Sequence, residues 1–112
     1  MMIDKGLVSG STTMLILSLL SERDMYGYEM IELLALRSQN VFELKTGTLY
    51  PLLHQLVKTK YLKSYENEVN GKKRKYYQLT KTGKLYLEAK IKEWDTYSST
   101  VSDILGGVSY GH

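Results

Sequence analysis

The fold is decided by the stretch Tyr61–Thr80, YLKSYENEVNGKKRKYYQLT, because a turn signal stands in its middle. Asn70-Gly71 favours a two-residue hairpin turn, since both central positions of such a turn need a positive φ. On either side, β-forming residues occupy alternate positions, which predicts two antiparallel strands. The expected cross-strand pairs are Val69–Lys72, Glu68–Lys73, Asn67–Arg74, Glu66–Lys75 and Tyr65–Tyr76. This register places Leu62, Tyr77 and Leu79 on the face that turns toward the core.

Four consecutive cations follow the turn: Lys72, Lys73, Arg74 and Lys75. In the expected register two of them face Glu66 and Glu68 and can form cross-strand pairs. Lys72 and Arg74 face no acidic residue. Their repulsion would be relieved by a phosphate backbone or a narrow minor groove, whose negative potential attracts inserted cations. A solvated charge run that only keeps the hairpin soluble is the alternative.

The net charge of the 112 residues is +3, but the basic residues are concentrated in one segment. Residues 58–92 hold 11 Lys/Arg against 3 Asp/Glu, whereas residues 1–57 hold 4 against 6 and residues 93–112 hold none against 3. A basic segment in an otherwise mildly acidic chain is typical of a surface that binds a polyanion. The charge distribution therefore favours a polyanionic partner.

Several classes of protein are disfavoured by what the sequence lacks. It has no cysteine, and so neither a disulfide framework nor a thiolate metal site. Its two histidines, His54 and His112, belong to no catalytic set or metal cluster, and no glycine-rich phosphate loop is present, so neither an enzyme nor a cofactor is expected. No apolar run approaches the roughly 20 residues of a membrane span, and no signal peptide is evident, so a cytoplasmic protein is the simplest expectation.

Three helices are predicted before the hairpin. The first, Ser11–Glu22, is apolar nearly all round and must be covered on more than one side. The expected buried face of the second contains Tyr28, Ile31, Leu34, and Ala35 or Leu36. The third has Thr46 as its expected N-cap and Pro51 in or near its first turn. Its inner face is expected to contain Leu49, Leu52, Leu53 and Leu56.

A fourth helix is predicted from about Thr82 to Leu105. Its apolar residues follow a 4-3-4-3-4 spacing that is typical of a helix–helix seam and is interrupted at Ser98. The predicted seam residues are Leu87, Ile91, Trp94, Val101 and Leu105. Three short helices and a hairpin cannot easily cover both this stripe and the apolar first helix. A second copy of the chain could, so a homodimer with these five residues at its interface is expected.

The order helix–helix–helix–hairpin–helix predicts a mainly α fold with a small β-hairpin. It is the order of a winged helix-turn-helix followed by a C-terminal dimerisation helix. We expect residues 1–80 to form the DNA-binding domain, with the wing at about 61–79. Residues 81–105 are then the dimerisation helix, and residues 106–112 a flexible tail.

Three segments, in order along most of the chain, carry a family resemblance: MYGYEM (Met25–Met30), TGTLYPLLHQL (Thr46–Leu56) and GKKRKYYQLTKTG (Gly71–Gly83). They resemble the PadR family of bacterial transcriptional regulators, and the single short C-terminal helix is similar to the small members of that family. The resemblance implies a dimeric winged-helix repressor that binds an inverted repeat in double-stranded DNA. The alternative is a winged-helix protein-interaction module without DNA binding, which the basic segment argues against. RNA is less favoured, because one hairpin offers no stacking platform.

The third helix would be the recognition helix, and hydroxyl groups at its start suit phosphate oxygens. The residues expected to contact DNA from this helix and just before it are Lys45, Thr46, Thr48, Tyr50 and His54. Those expected to do so from the wing are Lys72, Lys73, Arg74, Lys75 and Tyr76. Tyr26 is expected to give its hydroxyl to a phosphate, with a packing role at the core edge as the alternative. Gly27 is expected to allow close packing of the adjoining turn.

The resemblance to small drug-binding members also implies a planar aromatic effector. Trp94 matches a position that can stack such ligands in a pore between subunits. Leu7, Gly10 and Met14 would line the same space. The alternative is that Trp94 is only a packing residue of the dimer seam.

Overall fold

Four helices and a three-stranded antiparallel sheet form the part of the chain that the computed structural model describes, residues 5–106, with side chains from residue 11 onward. The elements in order are α1 (Lys5–Glu22), β1 (Met25–Tyr26), α2 (Gly27–Arg37), α3 (Thr46–Lys58), β2 (Leu62–Val69), β3 (Lys72–Leu79) and α4 (Lys81–Leu105). Apart from Gly106, the tail expected at 106–112 lies outside the described residues. None of the described helices is long and apolar enough to cross a membrane. The predicted winged helix-turn-helix fold is confirmed.

The hairpin has the predicted register at every pair. Asn70 and Gly71 form its turn with φ values of 55° and 77°, the left-handed conformation that a two-residue turn requires. Leu62 and Tyr77 are each 1% exposed, so the alternation of the strands directs these side chains into the core as expected. The Asn70-Gly71 turn and the alternation of apolar and polar residues therefore determine the register of the wing.

The strand β1 is a feature that the sequence analysis missed. It pairs with the second edge of β3, which gives the sheet order β1-β3-β2. Met25 lies opposite Tyr77, and both side chains are buried. This burial raises the pKa of Tyr77. The wing is therefore joined to the body of the protein through its central strand.

Helices α1 and α2 form much of the core. α1 packs against α2, β3 and α4, which covers its apolar surface on several sides as predicted. The predicted buried face of α2 is partly wrong, because Tyr28 is 57% exposed and Leu36 is 75% exposed. The buried residues of α2 are Gly27, Met30 and Leu34. Since β1 runs to Tyr26, the helix begins at Gly27 and the 3-4 spacing of its buried face starts there.

Helix α3 presents the predicted inner face. Its buried residues are Leu49, Leu53 and Leu56, and Leu52 packs against the core while partly exposed. The N-cap prediction is wrong, because the extended residue before the helix is Lys45 and Thr46 is the first helical residue. Pro51 lies in the second turn. The helix therefore begins without a side-chain cap, at an end that is exposed to solvent.

A close junction joins the wing to α4. Thr80 caps α4 by accepting a hydrogen bond from the N–H of Gly83 at 2.9 Å, and its hydroxyl is 2.7 Å and 3.0 Å from the carbonyl oxygens of Lys60 and Tyr61. Gly83 is buried so tightly that a Cβ there would collide with the carbonyl oxygen of Tyr61. One turn later Leu87 is also buried in the core. The start of α4 is therefore part of the winged-helix body.

We expect Gly83→Ala to lower the free energy of unfolding by about 1–3 kcal/mol, the usual range for overpacking, because the colliding atom belongs to the backbone. The matched control is Gly47→Ala in α3, where nothing lies within 4 Å of an added Cβ. That change should be neutral or stabilising by up to about 1 kcal/mol. Urea unfolding of both variants checks this, and equal stabilities would contradict the close approach at Gly83.

Candidate nucleic-acid interface

A groove of about 620 Å³ lies between the start of α2, the outer face of α3 and the wing strand β3. It brings together six of the residues predicted to contact DNA: Tyr26, Tyr50, His54, Lys72, Arg74 and Lys75. These residues come from three separate segments of the sequence, so their convergence is a property of the fold. Its lining also includes an acidic residue, Glu32 of α2, which was not predicted.

The other predicted contact residues lie outside the lining of this groove. Lys45, Thr46 and Thr48 are exposed where α3 begins. Lys73 is exposed opposite Glu68 on the wing. Tyr76 is partly buried between the rings of Tyr26 and Tyr65. The candidate interface therefore consists of a central groove flanked by the exposed start of α3 and by one further wing cation.

The wing cations have different partners from those expected. The predicted glutamate–lysine pairs face each other in the register but form no ion pair. Among the described residues the ion pairs are Arg23–Glu29, Glu22–Arg37 and Lys90–Glu93. Arg74, for which no partner was expected, has one: its guanidinium carbon lies 4.3 Å from the centre of the Tyr26 ring. The wing charge is thus uncompensated by carboxylates within this part of the chain.

Three tyrosine rings pack in a row that begins at Tyr26 in the lining of the groove. The edge of one ring meets the face of the other where Tyr26 and Tyr76 pack, with centres 5.5 Å apart, and Tyr76 stacks on Tyr65 at 5.8 Å. Tyr65 donates a hydrogen bond of 2.6 Å to Asp24, which also accepts one of 3.2 Å from Gln78. The bond to Asp24 raises the pKa of Tyr65 to about 12. Sequence reasoning missed this anchor because its two partners are 41 residues apart.

Gly27 sets the position of the α3 side chain that enters the groove. A Cβ at Gly27 would collide with the hydroxyl of Tyr50 and come within 2.7 Å of Cζ of its ring. The close packing expected at this glycine is therefore packing against Tyr50 itself. Only a residue without a side chain allows the ring to lie here.

A second groove, of about 840 Å³, lies between α1 and α4. Met14 and Trp94, both predicted to bind a ligand, are among its lining residues, with Tyr86, Lys90 and Glu93. Leu7 and Gly10 lie on α1, but their side chains are outside the described residues. The structure therefore brings together the two described members of the predicted ligand set.

The predicted dimer stripe divides into two parts. Leu87 is only 5% exposed and packs in the core of its own chain. From Ile91 onward the stripe is open: Ile91, Trp94 and Leu105 are 40–45% exposed, and Val101 is partly exposed. The uncovered part of the predicted stripe therefore starts at Ile91.

Comparison with known proteins identifies the family. A sequence model described as "Transcriptional regulator PadR-like family" matches residues 16–89. The chain belongs to the PadR-like family. A transcriptional regulator from Clostridium thermocellum has a similar structure, with a TM-score of 0.82 and 33% identity over 88% of this chain and 97% of that one. A PadR family transcription regulator from Clostridium difficile is also similar in structure, with a TM-score of 0.75 and 36% sequence identity. The match covers 85% of this chain and 98% of that one. An uncharacterized protein of Lysinibacillus sphaericus is 34% identical over 96% of this chain and 99% of its own length.

Membership of the PadR-like family confirms the resemblance read from the three sequence segments. PadR-like proteins are transcriptional regulators and not enzymes, as the sequence predicted for this chain. Among the described residues, no group of three or more His, Cys, Asp or Glu side chains could hold a metal ion.

We expect Gly27→Ala to weaken duplex binding by this PadR-like protein roughly fivefold, the equivalent of one lost hydrogen bond, because the new methyl group displaces Tyr50. The measurement is anisotropy of a labelled duplex, with thermal denaturation to check folding. In a Tyr50→Ala background the methyl group meets no ring, so Gly27→Ala should then have no further effect. An equal loss in both backgrounds would contradict this role of Gly27.

Proposed function

We propose that this PadR-like protein is a transcriptional repressor that binds an inverted-repeat operator as a homodimer. The observation that carries the proposal is the convergence of Tyr50, Lys72 and Arg74 in one groove between α3 and the wing. No wing cation forms an ion pair with a carboxylate of the described residues, so DNA phosphates are suitable counter-charges. A DNA partner also makes the cytoplasm the expected location.

In this proposal α3 is the recognition helix and enters the major groove. Its first turn lacks a side-chain cap, and the free N–H groups of a helix N-terminus suit a phosphate oxygen. Lys45, Thr46 and Thr48 surround that end and position the helix on the backbone. Tyr50 and His54, about one and two turns further along, are the side chains that reach base edges.

The wing lies beside the recognition helix in this arrangement. Lys72, Lys73 and Lys75 are exposed and contact the phosphate backbone, whereas Arg74 enters the adjacent minor groove. Each phosphate contact adds affinity and salt dependence but little sequence information. Base readout is therefore assigned to α3, and the wing supplies register and charge.

Dimerisation is assigned to the open part of α4. The exposed residues from Ile91 onward form a stripe at heptad spacing, which a second α4 and the apolar α1 can cover. We therefore keep DNA binding within 1–80 and dimerisation within 81–105, with the first two turns of α4 shared because Gly83 and Leu87 pack into the winged-helix core.

We further propose that a planar aromatic effector binds beside Trp94 and releases the operator. The groove between α1 and α4 combines the indole ring with the adaptable side chain of Met14. In a dimer this groove, together with Leu7 and Gly10, would face the partner subunit. An effector changes DNA affinity only if it binds one arrangement of the dimer better than another.

The first test is selection of bound sites from random duplex DNA, for which we expect sequences with two-fold symmetry. On a selected site, Lys72→Ala with Arg74→Ala should flatten the slope of log affinity against log salt by about 1.8, at roughly 0.9 for the phosphate contact of Lys72 in each of two subunits, and by up to about 3.6 if Arg74 in the minor groove also displaces a counterion. Lys81→Ala with Lys84→Ala removes the same charge from α4, outside the lining of the groove, and is the matched control. Equal slopes for the two variants would exclude the wing as a DNA contact.

The dimer is tested by Ile91→Glu with Val101→Glu, for which we expect monomers or unfolded chain in sedimentation velocity, since charges are introduced into the seam. Leu85→Glu with Ile104→Glu provides the control, because these residues of α4 are outside the stripe and 61% and 74% exposed. The control should keep the native size. A folded dimer of native size from the stripe variant would contradict this interface.

The effector is tested by titrating planar aromatic compounds while tryptophan fluorescence and operator release are followed together. The signal reports on one site, because Trp94 is the single tryptophan of the sequence. We expect quenching and release to share one midpoint. Quenching without release would leave a binding site without induction, and no response across a broad panel would make Trp94 a packing residue.

A further inference from the structure

The backbone of Tyr26, which lines the groove between α2, α3 and the wing, is held by contacts on both sides. It is the second residue of β1, where it lies opposite Tyr76 of β3. It is also the residue before α2, and its N–H donates to Oε1 of Glu29 at 3.1 Å. Strand pairing on one side and the helix start on the other therefore hold this residue in place.

The ring of Tyr26 is fixed as well, and it carries Arg74 on one side. The ring of Tyr76 packs at 73° to it with centres 5.5 Å apart. The guanidinium carbon of Arg74 lies 4.3 Å from the ring centre of Tyr26, within the distance of a cation–π contact. Of the four wing cations, Arg74 is partly buried and the three lysines are exposed. One cation of the wing is therefore held in a defined orientation while its neighbours are not.

We infer that Tyr26 is a positioning residue for Arg74, acting through the face of its ring and not through a hydroxyl contact with phosphate. This role rests on the proposed function, and it assigns the preference of the wing for particular DNA sequences to Arg74. A guanidinium is planar and stacks on an aromatic face, which an ammonium group does less well. Because Arg74 is oriented before DNA arrives, it loses less rotamer freedom on binding. The ring thus prepares Arg74 for a narrow, A·T-rich minor groove, which attracts inserted arginine.

The test is a double-mutant cycle on a selected operator and on the same operator with G·C-rich flanks. Tyr26→Leu removes the ring, and we expect it to weaken operator binding about 4- to 25-fold, since a cation–π contact accounts for roughly a two- to fivefold effect in each of two subunits. It should also reduce the preference for A·T-rich flanks. Tyr26→Phe keeps the ring and removes the hydroxyl, so it should retain both affinity and preference. In an Arg74→Ala background, Tyr26→Leu should cause no further loss.

The outcomes separate this inference from the proposed function. If Arg74→Ala leaves affinity and flank preference unchanged, the wing contact fails and the inference fails with it. A second outcome is that Arg74→Ala weakens operator binding, but Tyr26→Leu causes the same further loss of affinity in the Arg74→Ala background. A third is that Tyr26→Phe loses as much affinity as Tyr26→Leu. In both of these cases the wing contact stands and the positioning role is overturned. Should Tyr26→Leu not fold, Tyr26→Trp provides the second variant. It lacks the phenol but keeps the aromatic face, so native affinity supports the role and a loss equal to that of Arg74→Ala overturns it.

Discussion

Two residue pairs between β1 and β3 determine how the wing and the start of α2 lie relative to each other. Met25 of β1 and Tyr77 of the central strand β3 lie opposite each other, and both side chains are buried. The next pair is Tyr26 with Tyr76, and Tyr26 lines the groove between α2, α3 and the wing. The same two residues of β1 lead directly into α2 at Gly27, against which the ring of Tyr50 packs. The wing and helix α3 are therefore both in contact with one point of the chain. A shift of β1 would move both of them together.

A second junction fixes the opposite end of β3. There Thr80 links the loop after α3 to the start of α4, and Gly83 approaches the backbone of Tyr61. The ring of Tyr61 stacks on Tyr86 with centres 4.2 Å apart, and Tyr86 lines the groove between α1 and α4. The stacked rings of Tyr61 and Tyr86 therefore connect the base of the wing with this second groove. Packed contacts of this kind are the physical means by which two sites can be coupled.

The parts that could be predicted from the sequence are those that local chemistry determines. The Asn70-Gly71 turn sets the hairpin register, and the leucines of α3 repeat at helical spacing, so both were correct. A two-residue strand such as β1 has no periodicity to detect. Missing it also displaced the predicted face of α2 and left Arg74 without a partner. The bond from Tyr65 to Asp24 spans 41 residues, and neither side chain carries a local signal for the other.

The two halves of strand β3 differ in character, since the first is entirely cationic and the second packs against the rest of the protein. Its first four residues are all cations, and side chains two apart on a strand are separated by roughly 7 Å, inside the Debye length of about 8 Å at physiological ionic strength. Their mutual repulsion therefore acts in the free protein. Under the proposed function, DNA phosphates would relieve it. Its last four residues, 76–79, hold the strand in place through the rings of Tyr26 and Tyr65, the buried Tyr77 and the bond from Gln78 to Asp24. Apart from the contact of Arg74 with the ring of Tyr26, these side-chain contacts lie in the second half of the strand, and the cations of the first half form no ion pair with a carboxylate of the described residues.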